Sequence, residues 1–298
     1  MYRIWIILLL TVFFSCKSEN HAEKSVQKTL SDLERAYSND KNDSIYYDLL
    51  QAYGKEVINA QNSEDKEKYL RKALDISSSE EKRNIKDALL SELIKLNPEH
   101  SANELLELAK RYKNSGQSEF ADILFSGFKY RFPDDQRSKE IFPEKWFDFS
   151  THKKYFDNLL ESVFTNPSPS GINTVNARRY IDHVIAFGLG YAGDSSVPDY
   201  LMISADVARG LGDPNMSIGQ YDWIHNYYPD YPKAPLAMFL KGYEMDATLK
   251  KYDDAKKVYE AFLKKFPNDS LVKDVKFLIE NLGKSPDDTW KEMQPANK

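Results

Sequence analysis

At 298 residues the chain is long enough for one large domain or two modest ones, and 46 acidic against 41 basic side chains leave a net charge of −5. The charges are mixed along the chain, so no basic stripe favours nucleic acid, and a single cysteine excludes an internal disulfide. Stability must come from packing, for which 19 Tyr, 16 Phe and 4 Trp are available, and the low glycine content with few period-two segments argues for helices over sheet.

The chain opens on Arg3 and an apolar run, Ile4 to Phe14, broken only by Thr11. Eleven residues of helix reach about 16 Å, roughly half the hydrocarbon core of a bilayer. That is too short to span, and it matches the apolar core of a secretory leader. Ser15 offers a small residue at a cut, and Cys16 follows. The arrangement resembles the lipobox of bacterial lipoproteins, with Phe13 and Phe14 standing where that pattern prefers Leu and a small residue. The alternative is an ordinary leader or a buried N-terminal helix with an incidental thiol. The lipoprotein resemblance implies removal of residues 1–15 and acylation of Cys16, which then holds the protein on a membrane. Lys17 in place of Asp after the cysteine implies passage to the outer membrane, with the body expected in the periplasm. Residues 16–43 read as a tether and a possible first helix, with Val26, Leu30, Leu33 and Tyr37 at helical spacing.

Self-similarity appears from residue 44 onward. In residues 103–135, Leu105, Leu108, Ala109 and Tyr112 share one helical face, a turn follows at Asn114–Gly116, and Ala121, Phe125 and Phe128 mark a second helix before Pro133. Residues 199–229 repeat this with Leu201, Ala205 and Ala208, the turn Gly212–Pro214, then Ser217, Tyr221, Ile224 and Pro229. Ala109 to Ala121 and Ala205 to Ser217 are both twelve residues, as are Ala121 to Pro133 and Ser217 to Pro229. A third copy has Met238, Gly242 and Met245, then Ala255, Tyr259, Phe262 and Pro267, with a turn one residue longer. A weaker copy has Leu50, Gly54 and Val57, then Leu70 and Ala73, without the proline. The spacing resembles the tetratricopeptide repeat. Small residues let two helices approach closely, and proline stops the second. The aromatic four residues after the second small one is expected to fill space toward the next pair.

That resemblance implies an all-α, right-handed tetratricopeptide-type solenoid of helix pairs, over residues 44–135 and 198–283. Residues 136–197 fit poorly and read as a degenerate helical region. It holds a helix in 153–164 with Phe156, Leu159, Leu160 and Val163 on one side, a loop at NPSPSG, and a long helix over 174–192. Ser270 to Leu282 is the expected C-terminal capping helix, and residues 284–298 a tail.

Few motifs suggest chemistry. GLGYAG (188–193) matches a dinucleotide fingerprint, but no strand precedes it; a helix C-terminus explains it as well. The five histidines do not pair at metal spacing, and His183 reads as a buried helix residue. Acid pairs such as Asp253–Asp254 suit helix starts. No enzyme, no metal and no cofactor are expected.

In tetratricopeptide proteins the first helix of each pair lines a concave surface. The resemblance therefore implies a partner-binding groove of Leu106, Lys110 and Lys113, then Met202, Asp206 and Arg209, then Phe239, Tyr243 and Asp246. Ala109, Tyr112, Ala121, Phe125, Ala205, Tyr221, Gly242, Ala255 and Tyr259 are expected to pack the repeats. The function expected is a lipid-anchored scaffold for another envelope protein or peptide segment, with no nucleic acid. It is similar in kind to the tetratricopeptide lipoprotein of the β-barrel assembly machine, and its last repeats to the periplasmic partner of the Tol–Pal system. The alternative is a ligand-binding lipoprotein for nutrient or glycan uptake, in which Trp146, Trp223 and Tyr191 would face sugar rings.

Overall fold

The structure, a computed structural model, describes residues 29–166 and 171–284. The leader, Cys16, the start of the tether and the tail beyond residue 284 lie outside the described residues.

Among the described residues the chain forms thirteen α-helices and no strand, so the fold is all-α. Six precede residue 132: α1 (Leu30–Asn39), α2 (Asp43–Asn59), α3 (Ser63–Ile76), α4 (Arg83–Leu96), α5 (Ala102–Asn114) and α6 (Ser118–Arg131). After an irregular stretch come α7 (His152–Val163) and α8 (Thr174–Gly190). The remainder is α9 (Val197–Gly210), α10 (Pro214–Tyr227), α11 (Ala234–Tyr243), α12 (Tyr252–Lys265) and α13 (Val272–Glu280).

The chain divides into two compact units, Met1–His152 with Ile185–Gly193, and Lys153–Val184 with Asp194–Lys298. The 136–197 segment is thus shared between them. In the first unit each helix from α1 to α6 packs on its neighbour in the chain. In the second, α9 to α13 do the same.

Local chemistry sets the boundaries. Thr29 and Asp32 form a capping box at the start of α1: Asp32 N–H donates to Thr29 Oγ1 (3.2 Å) and Thr29 N–H to Asp32 Oδ2 (3.1 Å). Asn42, Asn62 and Asp213 cap α2, α3 and α10 through their side-chain oxygens. Helices α6, α10 and α12 all end two residues before a proline. Their capping residues Phe132, Tyr228 and Phe266 have nearly the same backbone angles (φ −125, −128 and −127°; ψ 58, 58 and 57°). A residue ahead of proline is pushed out of the helical region, so the same dipeptide gives the same exit. Asn97 before Pro98 ends α4 in a similar way (φ −138°, ψ 70°), a fourth terminator that the repeat pattern did not pick out.

The turns inside the pairs also repeat. Gly116 (φ 77°) and Gly212 (φ 72°) lie seven residues after Ala109 and Ala205, in the left-handed region that glycine enters without penalty. In both, the next residue's N–H closes the turn: Gln117 on Tyr112 O and Asp213 on Ala208 O, each at 3.0 Å. In the third copy Lys250 holds the left-handed place (φ 56°), eight residues after Gly242. The extra residue is absorbed by a π-helical segment, Glu244–Thr248, that continues α11.

The cores follow from these pairings. Tyr46, Leu49, Leu50, Tyr53, Leu70, Ala73 and Leu89 form a cluster across α2, α3 and α4. In the second unit Met238, Ala255, Tyr259, Phe262 and Val275 form another across α11, α12 and α13. Gly242 is in direct contact with the Tyr259 ring: a Cβ there would lie 2.5 Å from Cε1 and 2.8 Å from Cδ1. The Tyr259 ring therefore fills space within its own pair, and it shares its core cluster with Val275 of α13. In the first unit Gly127 lies against the backbone of Gly190, too close for a side chain on Gly127. The GLGYAG stretch is thus a helix end, with Gly190 at a close backbone approach and Gly193 left-handed at φ 91°.

Candidate interaction surface

The residues expected to pack the repeats, Ala109, Tyr112, Ala121, Phe125, Ala205, Tyr221, Gly242, Ala255 and Tyr259, are all buried. The groove set divides. Leu106 and Met202 are buried and present nothing to a partner. Lys110, Asp206, Arg209 and Tyr243 are exposed, while Lys113, Phe239 and Asp246 are half-buried.

In the second unit α9 and the end of α11 bring charges together. Arg209 Nε bonds Glu244 Oε1 at 2.7 Å, and its Nη1 lies 3.5 Å from Asp206 Oδ1. Glu244 is buried and was not identified from the sequence. Its place in the extra π-helical turn hides it from a search for regular helical spacing. Tyr221, buried on α10, points its hydroxyl to Asp206 Oδ1 at 3.5 Å. Beside this cluster Phe239 and Tyr243 stack, ring centres 6.4 Å apart. Burial raises the Asp246 carboxyl above the usual range, partly offset by Lys250. The result is a strip that offers an exposed carboxylate, a paired guanidinium and an aromatic edge.

A second polar group ties three helices behind it. Asp222 on α10 takes Lys241 of α11, and His225 Nε2 lies 3.0 Å from its Oδ1. Lys265 of α12 donates to the His225 carbonyl at 2.8 Å. Burial opposes the Asp222 charge, but Lys241 and His225 hold its carboxyl well below the usual range. Burial lowers His225 despite the opposing pull of Asp222.

In the first unit the irregular stretch after α6 is fastened down. Asp122, buried on α6, accepts the N–H of Glu144 (3.0 Å) and of Lys145 (2.9 Å) through its two oxygens. Ser126, one turn on, accepts the N–H of Phe147 at 2.8 Å. Glu144 in turn pairs with Lys113 and accepts from Ser118 at 3.2 Å. Residues 144–147 thus lie along α6 like a bound peptide, and one of them occupies Lys113, a residue of the expected groove. Phe149 stacks on Tyr191 (4.8 Å between ring centres), and Tyr130 leans on Phe149 (4.7 Å).

The three aromatics named for sugar binding separate. Trp223 and Tyr191 are buried, leaving Trp146 exposed. His183 is buried and shares a hydrogen bond with Tyr155. No group of three or more metal-ligating side chains is present among the described residues, and no described helix is long and apolar enough to cross a membrane.

The chain matches no protein-family model, no curated protein and no solved structure. The geometry therefore carries the functional reading by itself. Arg209 and Asp206 on α9 and Tyr243 on α11 fall together because α9 and α11 both pack on α10. Their sequence signal was position relative to the small residues Ala205 and Gly242.

Proposed function

We propose that this protein is a lipid-anchored scaffold of tetratricopeptide type, whose helix-pair stack takes up a segment of another envelope protein. The observation that carries this reading is the recurrence of one pair geometry. Buried small residues sit where paired helices meet, a left-handed residue closes the turn, and a pre-proline residue ends the second helix at one backbone setting. Stacked pairs of that kind form a right-handed solenoid with an extended binding face. On this reading the face of the second unit is made by Asp206, Arg209, Phe239, Tyr243 and Asp246, and the partner is a peptide segment that brings both charge and an apolar side chain. Acyl chains on Cys16 hold the scaffold on the outer membrane, with its body in the periplasm.

Arg209 is a poor site for a test, because its removal strips the buried Glu244 of a partner. Asp206→Arg with Tyr243→Ser changes two exposed residues of the strip and keeps both members of the Arg209–Glu244 pair, losing only the long contacts of Asp206 to Tyr221 and Arg209. Affinity capture from detergent-solubilised envelopes should lose its specific partner in this double variant. Capture of the same partners at the same yield would overturn the assignment.

A further inference from the structure

The end of α6 and the stretch that follows it present three rings to solvent. Phe142 is 82 % exposed, Tyr130 56 % and Trp146 43 %. Exposed rings on a loose loop need no explanation, but this segment is bound at three successive places by Asp122 and Ser126. Lys129 lies over the Trp146 ring, 4.6 Å from its centre, which fixes one face of the indole. Two buried polar side chains of α6 thus hold the backbone on both sides of Trp146 while its ring stays outside the core. Rings held in water in this way mark a contact surface.

We propose that Phe142, Trp146 and Tyr130 form a platform that rests on the surface of the lipid bilayer and orients the anchored protein. This rests on the lipid-anchor reading above. Two features select a lipid surface as the occupant. The first is reach: twelve residues separate Cys16 from Thr29, where the described chain of this same unit begins, so the thirteen steps between them span at most about 47 Å. A platform on that unit meets the bilayer at high effective concentration, so weak contact suffices. The second is chemistry: Trp and Tyr combine an apolar body with a polar edge and settle at the headgroup level. The neighbouring exposed charges are mixed, Lys139 and Lys145 with Glu140 and Glu144, which suits zwitterionic headgroups better than a strongly charged partner.

The lone cysteine makes the test independent of natural acylation. The chain from Cys16, which contains every described residue, is coupled through that thiol to a maleimide lipid in phosphatidylethanolamine–phosphatidylglycerol vesicles. A Trp290→Phe background leaves Trp146 and the buried Trp223 as emitters. Vesicles made with lipids brominated on the acyl chain should quench the Trp146 emission, because bromine acts only on contact, and the quenching should be lost in Tyr130→Ser/Phe142→Ser. Equal emission from brominated and plain vesicles would overturn the proposal, as would quenching that survives the double serine variant. If the cellular protein carries no lipid on Cys16, the anchor reading fails, and the vesicle result still decides the platform.

Discussion

Gly242 is the most exacting contact of the helix pairs. A Cβ placed there would meet Tyr259 at 2.5, 2.8 and 3.2 Å, at Cε1, Cδ1 and Cζ of a fully buried ring. Gly242→Ala must therefore displace the ring or spread α11 from α12. Overpacking of this kind costs about 1–3 kcal/mol. Alanine in place of glycine inside a helix returns about 1 kcal/mol, so a net loss of about 1 kcal/mol remains, a fall of about 2–4 °C in melting temperature for a unit of this size. Gly210 is the control: at the end of α9 an added Cβ would find only Ile172 Cδ1 at 3.5 Å, an ordinary contact. Gly210→Ala should hold or raise the melting temperature while Gly242→Ala lowers it, both read by circular dichroism. In a Tyr259→Ala background the Gly242→Ala penalty should vanish, because the ring that creates it is gone. A Gly242→Ala protein as stable as the parent would refute the close approach of α11 and α12, and so would a penalty that persists without Tyr259.

Lys250, His225 and Asp122 each offer a further test. Lys250 holds a left-handed backbone at φ 56°; that costs a side chain about 1–2 kcal/mol, and glycine's larger unfolded-state entropy offsets about 0.5–1 of it. Lys250→Gly should therefore stabilise the second unit by about 0.5–1 kcal/mol in urea titration. His225 has a folded pKa lowered by burial, so the unfolded chain binds its proton first. Its stability contribution is complete above the unfolded value of about 6.5 and is lost as the pH falls from there toward the folded value. Melting temperatures measured between about pH 7.5 and about pH 5.5 should fall less in His225→Gln than in the parent; parallel curves would contradict the buried neutral imidazole. Asp122→Ala removes a carboxylate that holds two backbone N–H groups, bonds of about 1.5–3 kcal/mol each. Amide exchange at Glu144 and Lys145 should then speed up sharply while α5 and α6 stay protected, and unchanged protection would contradict the fastening.

Much of the helical order was legible in advance. Small residues twelve or thirteen apart, with prolines behind them, marked helix pairs because close approach and helix arrest each admit few residue types. The Asn97–Pro98 exit escaped notice because α4 lacks the small residue at the matching interval. Face assignments were less legible. Leu106 and Lys110 are one turn apart on α5, yet one is buried and the other exposed. Which flank of a helix faces solvent depends on the helices packed beside it, and spacing within one helix does not encode that. Glu244 was hidden by the π turn, which shifts the register of everything after Tyr243. The fastening of 144–147 was invisible for a different reason: Asp122 and Ser126 bond backbone groups some twenty residues away, and a backbone N–H carries no residue signature.

A partner held on the strip beside Arg209 lies within reach of a crosslinker placed there. Photo-crosslinking in intact cells measures this most directly, with a photoreactive residue at Tyr243 on the strip and another at Lys257, whose side chain is 75 % exposed on α12. One discrete adduct band is expected from position 243, absent from position 257 and lost when Asp206→Arg is added. No adduct at 243, or the same bands from both positions, would contradict it.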